Sequence, residues 1–169
     1  MNVRIAIAAQ ALALLASPTL GVQAARPDVR LQSQGQPMSL EEVRKGRAAI
    51  VVFWRSDCAP CLKELEQLPR MRREARPLHL ILVDLESAQE LQPVPAVVRV
   101  VSAADSWRAL DAPGKTLSAF GGDPPRLPLS VLLDGQGVVR RKRLGELGPQ
   151  LVREWRQCIA PGRSQCALQ

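Results

Sequence analysis

The arrangement that most limits what this chain can fold into is Cys58-Ala59-Pro60-Cys61. It is set directly after the apolar run Ala48 to Trp54 and opens a helical pattern through Leu62, Leu65 and Leu68. Two cysteines three apart at a helix start can close a small disulfide ring. The first sits where unpaired backbone N–H groups favour a thiolate, the species that attacks disulfides. Zinc sites share this spacing, but a zinc site needs about four N or S ligands. The rest of the chain supplies only Cys158, Cys166 and the single His79. Strand, motif and helix in that order point to dithiol chemistry rather than a metal.

A chain of 169 residues with 46% hydrophobic content is the size of one domain with a real core. Met1 to Ala24 stands apart: Arg4 gives a positive start, Ile5 to Leu15 is apolar apart from Gln10, Ser17-Pro18 ends the run, and Val22-Gln23-Ala24 offers a cleavage point. That apolar stretch is short of the roughly 20 residues a spanning helix needs, so residues 1–24 read as a secretory signal peptide. An uncleaved anchor is the alternative. Either way residues 25–169 form a single exported domain, periplasmic in a bacterium with two membranes, or tethered at the membrane if the anchor stays.

The net charge of +7 loses only Arg4 when the leader goes. Such a surplus could favour acidic partners or an anionic membrane surface, although Arg is spread throughout, as in an ordinary solvated surface. With no Tyr and few aromatics to stack on bases, nucleic-acid binding is excluded as a reading. Arg140-Arg141-Lys142-Arg143 is the one dense basic run, and in a last strand it would discourage edge-to-edge association, consistent with a monomer. Four cysteines in an exported chain suit two disulfides. Cys158 and Cys166 would close a short C-terminal loop around Pro161-Gly162, a structural bridge contributing roughly 2–3 kcal/mol. A second redox pair is the alternative for these two.

Further along, Val29 and Leu31 alternate as in a short strand, and Ser39-Leu40-Glu41-Glu42 has the form of a capping box opening a short helix that ends at Gly46. Ile50 to Trp54 and Leu78 to Val83 read as buried strands joined by a helix from about Pro60, with Pro69 kinking or ending it. The crossover implies a parallel pair. Val97 to Val101 looks extended, while Ser106 to Asp111 and Thr116 to Phe120 look helical. Leu129 to Leu133 and Val138 to Leu144 form an antiparallel hairpin about Asp134 to Gly137, and Gly148 to Gln157 is a final helix.

From about Ala48 to Leu144 the chain resembles exported thioredoxin-fold proteins of the TlpA/ResA type, the group that includes cytochrome c maturation reductases. The residues that carry the likeness are Val52-Phe53-Trp54 ahead of Cys58-Ala59-Pro60-Cys61, then Leu127-Pro128 before Leu129-Ser130-Val131-Leu132-Leu133-Asp134 and its turn. The resemblance implies an α/β thioredoxin-like fold, a central mixed sheet flanked by helices, and a protein-disulfide reductase needing no cofactor and no metal. It assigns Cys58 as the attacking thiol and Cys61 as the resolving thiol. Pro128 matches a cis proline lying against the disulfide, an isomer that costs little at X-Pro bonds. The backbone of Leu127 would then be free to pair with a substrate strand, with Trp54, Ala59 and Pro60 completing the substrate-binding surface.

Glu64 matches an acidic residue three positions after the second cysteine. On a helix that spacing puts it on the cysteine's side, where it could exchange protons with the thiols; a solvated first-turn glutamate is the competing reading.

Departures from the pattern bear on direction. Cytoplasmic thioredoxins bury an aspartate where Val52 stands, so a proton relay must come from elsewhere. Asp57 beside Cys58 would raise the thiol pKa and push the couple toward reduction. The proline that the family places five residues after the second cysteine is replaced by Glu66. Ala59-Pro60, with no His between the cysteines, also favours a reductase over an oxidase or isomerase. The resemblance implies a membrane thiol-transfer protein as electron donor and client-protein disulfides as substrates, such as those of an apocytochrome or a copper-site protein. Copper delivery on the same scaffold is a competing function that would recruit His79 to the two thiolates. A non-enzymatic assembly factor is another.

Overall fold

The computed structural model describes residues 26–86, 106–121 and 126–159. The leader, the extended segment expected at Val97 to Val101 and Cys166 lie outside them. Among the described residues seven strands form one mixed sheet in the order β2-β1-β5-β4-β3-β6-β7, flanked on both faces by helices. This is the α/β architecture that the resemblance implied.

β3 (Ala49–Trp54) is buried along its whole length, between β4 (His79–Asp84), which runs parallel to it, and β6 (Leu129–Leu133), which runs antiparallel. Its side chains alternate between two cores, as period-2 geometry requires. Ala49, Val51 and Phe53 face one core, which takes Leu40 and Val43 from α1 (Leu40–Arg44) and Leu117 from α4 (Pro113–Ser118), with Phe120 just beyond it. The Phe53 and Phe120 rings lie 4.9 Å apart in a tilted contact. Ile50, Val52 and Trp54 face the other, made with α2 (Ala59–Glu66), α3 (Leu68–Ala75) and α5 (Gly148–Cys158). Each such side chain, fully buried, contributes about 1.5–3 kcal/mol.

The expected capping box at Ser39 forms: its Oγ accepts the Glu42 N–H, and the Glu42 carboxylate accepts the Ser39 N–H in return. Pro69 separates α2 from α3, sitting in the first turn of the second helix where its missing N–H is not needed. The hairpin of β6 with β7 (Val139–Leu144) is present as read, and α5 covers the expected final helix.

One reading is corrected and one strand is added. Ser106 to Asp111, expected to be helical, instead contains β5 (Ser106–Ala109), which pairs parallel with β4 and antiparallel with β1 (Arg30–Ser33). Four residues carry too little period to resolve, and the open slot between two distant strands decided the conformation. The polar stretch before Ser39 also holds a strand, β2 (Gln36–Ser39), paired with β1 across a two-residue turn. Gln34 and Gly35 both take positive φ there, 51° and 81°, as a type I′ turn demands.

Candidate active site

The site lies at the C-terminal end of β3, which is flanked by β4 and β6. After Trp54 the chain leaves the sheet through Arg55-Ser56-Asp57 and re-enters regular structure at Cys58, the N-cap of α2. The Cys61 N–H points at Cys58 Sγ, 3.2 Å away, so an unpaired helix-start donor is aimed at the first sulfur. Cys58 and Cys61 are joined in a disulfide with their Cα atoms 5.2 Å apart. The two sulfurs have unlike surroundings: Cys58 is half-buried beside exposed Ala59 and Pro60, whereas Cys61 is 1% exposed and part of the core. An outside disulfide can reach the first sulfur and not the second.

Glu64 lies one helical turn on from Cys61 and is equally hidden, at 1% exposure, which removes the solvated reading of this residue. Its Oε1 accepts the Ser130 hydroxyl and the Leu147 N–H, each at 3.3 Å, while its Oε2 has no hydrogen-bond partner. Burial pushes its carboxyl up to about 7, against the lowering effect of those two bonds. Val52, the strand position where a buried aspartate is absent, pairs with Ser130. A carboxylate is therefore present in this region, but it arrives from the helix side.

The Leu127–Pro128 bond is cis, as the resemblance implied. Pro128 is buried and its carbonyl accepts the Gly145 N–H at 2.9 Å, while Leu127 is half-buried and touches both cores. Because Leu129 pairs with Phe53, this turn and the dithiol share one end of the sheet. Trp54 does not belong to a substrate surface: it is 2% exposed and packs beneath the site in the core of α2, α3 and α5. An indole at the last position of a fully buried strand has no route to solvent.

Asp57 is exposed and bound by Arg55, whose Nε and Nη2 donate to its two carboxylate oxygens at 2.9 and 3.2 Å. That guanidinium holds the Asp57 carboxyl below its ordinary range and offsets the negative charge expected to bear on Cys58. Sequence reading missed Glu86, just past β4. It is 5% exposed, accepts the Ser56 N–H at 2.7 Å and donates its own N–H to Asp84 at 2.8 Å, so it ties the loop before Cys58 to the neighbouring strand. It also missed Ser130, whose signal was available as the one polar residue inside Leu129–Leu133.

His79 opens β4 opposite Ala49, at the other end of β3 from the cysteines, and its Nδ1 faces Arg47 at 3.1 Å. Five strand positions separate it from the level of Trp54, roughly 17 Å at ~3.3 Å per residue, so it cannot join Cys58 and Cys61 around one ion. Among the described residues no three His, Cys, Asp or Glu side chains gather as metal ligands. Cys158 is disulfide-bonded and packs against the α5 core; its expected partner Cys166 is outside the described residues.

A dithiol capping a helix at the end of an interior strand, with a cis-proline turn at the same end of the sheet, makes the protein a thiol–disulfide oxidoreductase of the thioredoxin-like type. More particularly, the chain belongs to the Redoxin family, whose model matches residues 21–154. Sporulation thiol-disulfide oxidoreductase A of Bacillus subtilis strain 168 is 26% identical over 136 residues, 79% of this chain and 81% of that protein. The crystal structure of StoA from Bacillus subtilis matches with a TM-score of 0.56 at 25% identity, covering 78% of this chain and 98% of that one. A thioredoxin-related protein from Neisseria meningitidis serogroup B shares the fold, with a TM-score of 0.62 at 18% identity over 76% of this chain and 97% of its own.

Proposed function

We propose that this protein is an exported reductase of client-protein disulfides, of the TlpA/ResA type, re-reduced by a membrane thiol-transfer protein. The observation that carries the reading is the unequal exposure of the two sulfurs, with a buried carboxyl of pKa about 7 one helical turn on from the hidden one. In the reduced protein the Cys58 thiolate, supported by the Cys61 N–H and the start of α2, attacks one sulfur of a client disulfide and expels the other as a thiolate. The mixed disulfide lies along the Leu127–Pro128 turn. Cys61 then attacks Cys58 Sγ, releasing the second client sulfur and leaving the Cys58–Cys61 disulfide. Its thiol proton passes to ionised Glu64, which a pKa near 7 leaves able to accept and return it at neutral pH.

Absence of a His between the cysteines supports the reducing direction, since nothing there adds a positive charge to stabilise the Cys58 thiolate and favour the dithiol form. The apolar leader Ile5 to Leu15 supports export. Two measurements test the proposal. Cys61→Ser should accumulate mixed disulfides through Cys58 with exported clients, and a redox titration of the native protein should give a potential more negative than about −200 mV. A potential near −120 mV would mean that the enzyme runs as an oxidant.

A further inference from the structure

We infer that the outer strand β7 is a docking edge for an acidic, extended client segment, resting on the thiol-exchange reading above and naming the substrate class it serves. Among the described residues β7 ends the sheet and pairs with β6 alone. It carries Arg140, Arg141, Lys142 and Arg143 in succession. Arg140 is committed to Asp134. Arg141, Lys142 and Arg143, together with exposed Arg126 just before Leu127, have no carboxylate within ion-pair reach among the described residues. Arg153 finds Glu74 and Lys63 finds Glu146, whereas Lys45, Arg70 and Arg73 likewise have no ion pair among the described residues but do not follow one another along a strand.

The geometry leads toward the dithiol. β7 closes at Leu144, half exposed, and the next residue, Gly145, donates its N–H to the Pro128 carbonyl. The unpaired bases therefore run up to the turn on which a mixed disulfide would lie. Their distribution also selects the partner. Lys142 pairs across to Val131 and shares its face, while Arg141 and Arg143 pair with Leu132 and Ser130 and share the other. Cations split between two faces do not make the flat plane an anionic membrane would meet. They match a strand laid along the edge of β7, whose side chains alternate in the same way and whose backbone can use the outer N–H and C=O groups. A second copy would bring its own bases into register and be repelled. Consecutive Asp or Glu residues beside the client's reactive cysteine fit this edge.

Two peptides test this, each holding one cysteine in mixed disulfide with glutathione and flanked by glutamates in one and glutamines in the other. Docking is read by fluorescence anisotropy on the oxidised native protein, and exchange by glutathione release from the reduced protein, normalised to each variant's rate with uncharged hydroxyethyl disulfide. At about 20 mM salt the glutamate peptide should bind about tenfold tighter, an advantage that collapses near 500 mM. Arg141→Glu/Lys142→Glu/Arg143→Glu should abolish the preference, with the triple Gln variant as the milder substitute if charge reversal impairs folding. Reversing Arg70, Arg73 and Lys45 elsewhere should leave it intact. Equal binding of the two peptides, or a preference that survives the β7 changes or is lost equally in the control, overturns the inference. So does attachment to phosphatidylglycerol vesicles through β7 without any peptide preference. Docking without glutathione release would instead overturn the exchange reading on which it rests.

Discussion

Glu64 lies one turn beyond Cys61, and burial, with a smaller push from the Glu146 charge, lifts its carboxyl from 4.5 to about 7. The folded protein therefore keeps a proton that the unfolded chain releases. Below about pH 4.5 both states are protonated and there is no penalty; as pH rises through 7 the folded state must ionise a sealed carboxyl. Stability should fall by on the order of 2–3 kcal/mol between pH 5 and 8 from this group. Urea midpoints of the oxidised protein at those two pH values should show the fall, and Glu64→Gln should flatten it; parallel slopes in the two proteins would sink the assignment. Asp57 illustrates the reverse case, an exposed carboxylate whose influence is offset by Arg55. Asp57→Asn should lower the Cys58 thiol pKa and Arg55→Gln should raise it, read from alkylation rates against pH. Unchanged profiles in both would mean that solvent screens the pair from the sulfur. The spacing of Glu64 was legible in the sequence, but its burial was not. Whether a helix position faces water depends on Ser130 and Leu147, which come from distant parts of the chain.

At the scale of elements, local chemistry was read well wherever it is self-contained. Ser39 with Glu42 forms a reciprocal cap within four residues, and Ser39→Ala should cost about 1 kcal/mol in chemical denaturation. That cap matters beyond α1, because the helix presents buried Arg44, whose Nη1 donates to the Asp134 carbonyl at 2.8 Å and so ties α1 to the β6–β7 turn. Gly137 closes the same turn at a φ of 81°, and an added Cβ would stand 3.0 Å from Arg44 Nη2. Gly137→Ala should therefore destabilise more than Ser39→Ala, combining backbone strain with displacement of a buried guanidinium. A smaller effect would show that the turn relaxes freely. β5 and β2 escaped the sequence because short strands are chosen by their neighbours: Ser106–Ala109 is extended through pairing with β4 and β1, not through its own four residues.

Across the whole molecule, the sheet sets which chemistries can meet. His79 and the dithiol occupy opposite ends of β3 and β4, so His79→Asn should leave Cu(I) affinity of the reduced protein unchanged in a competition titration. A marked loss would place the histidine near the thiolates and contradict this topology. Determined by sequence alone were the dithiol, its strand-and-helix setting and the final hairpin, because each is written in adjacent residues with a strong local signal; the proline turn came through the family resemblance. Only the tertiary structure decided that Cys61 and Glu64 are sealed while Cys58 is half-exposed, that Trp54 supports the site from below, that Glu86 fastens the loop ahead of the cysteines, and that three bases of β7 have no ion pair among the described residues. Those are properties of exposure and partnership, and both arise only when segments far apart in the chain are brought face to face.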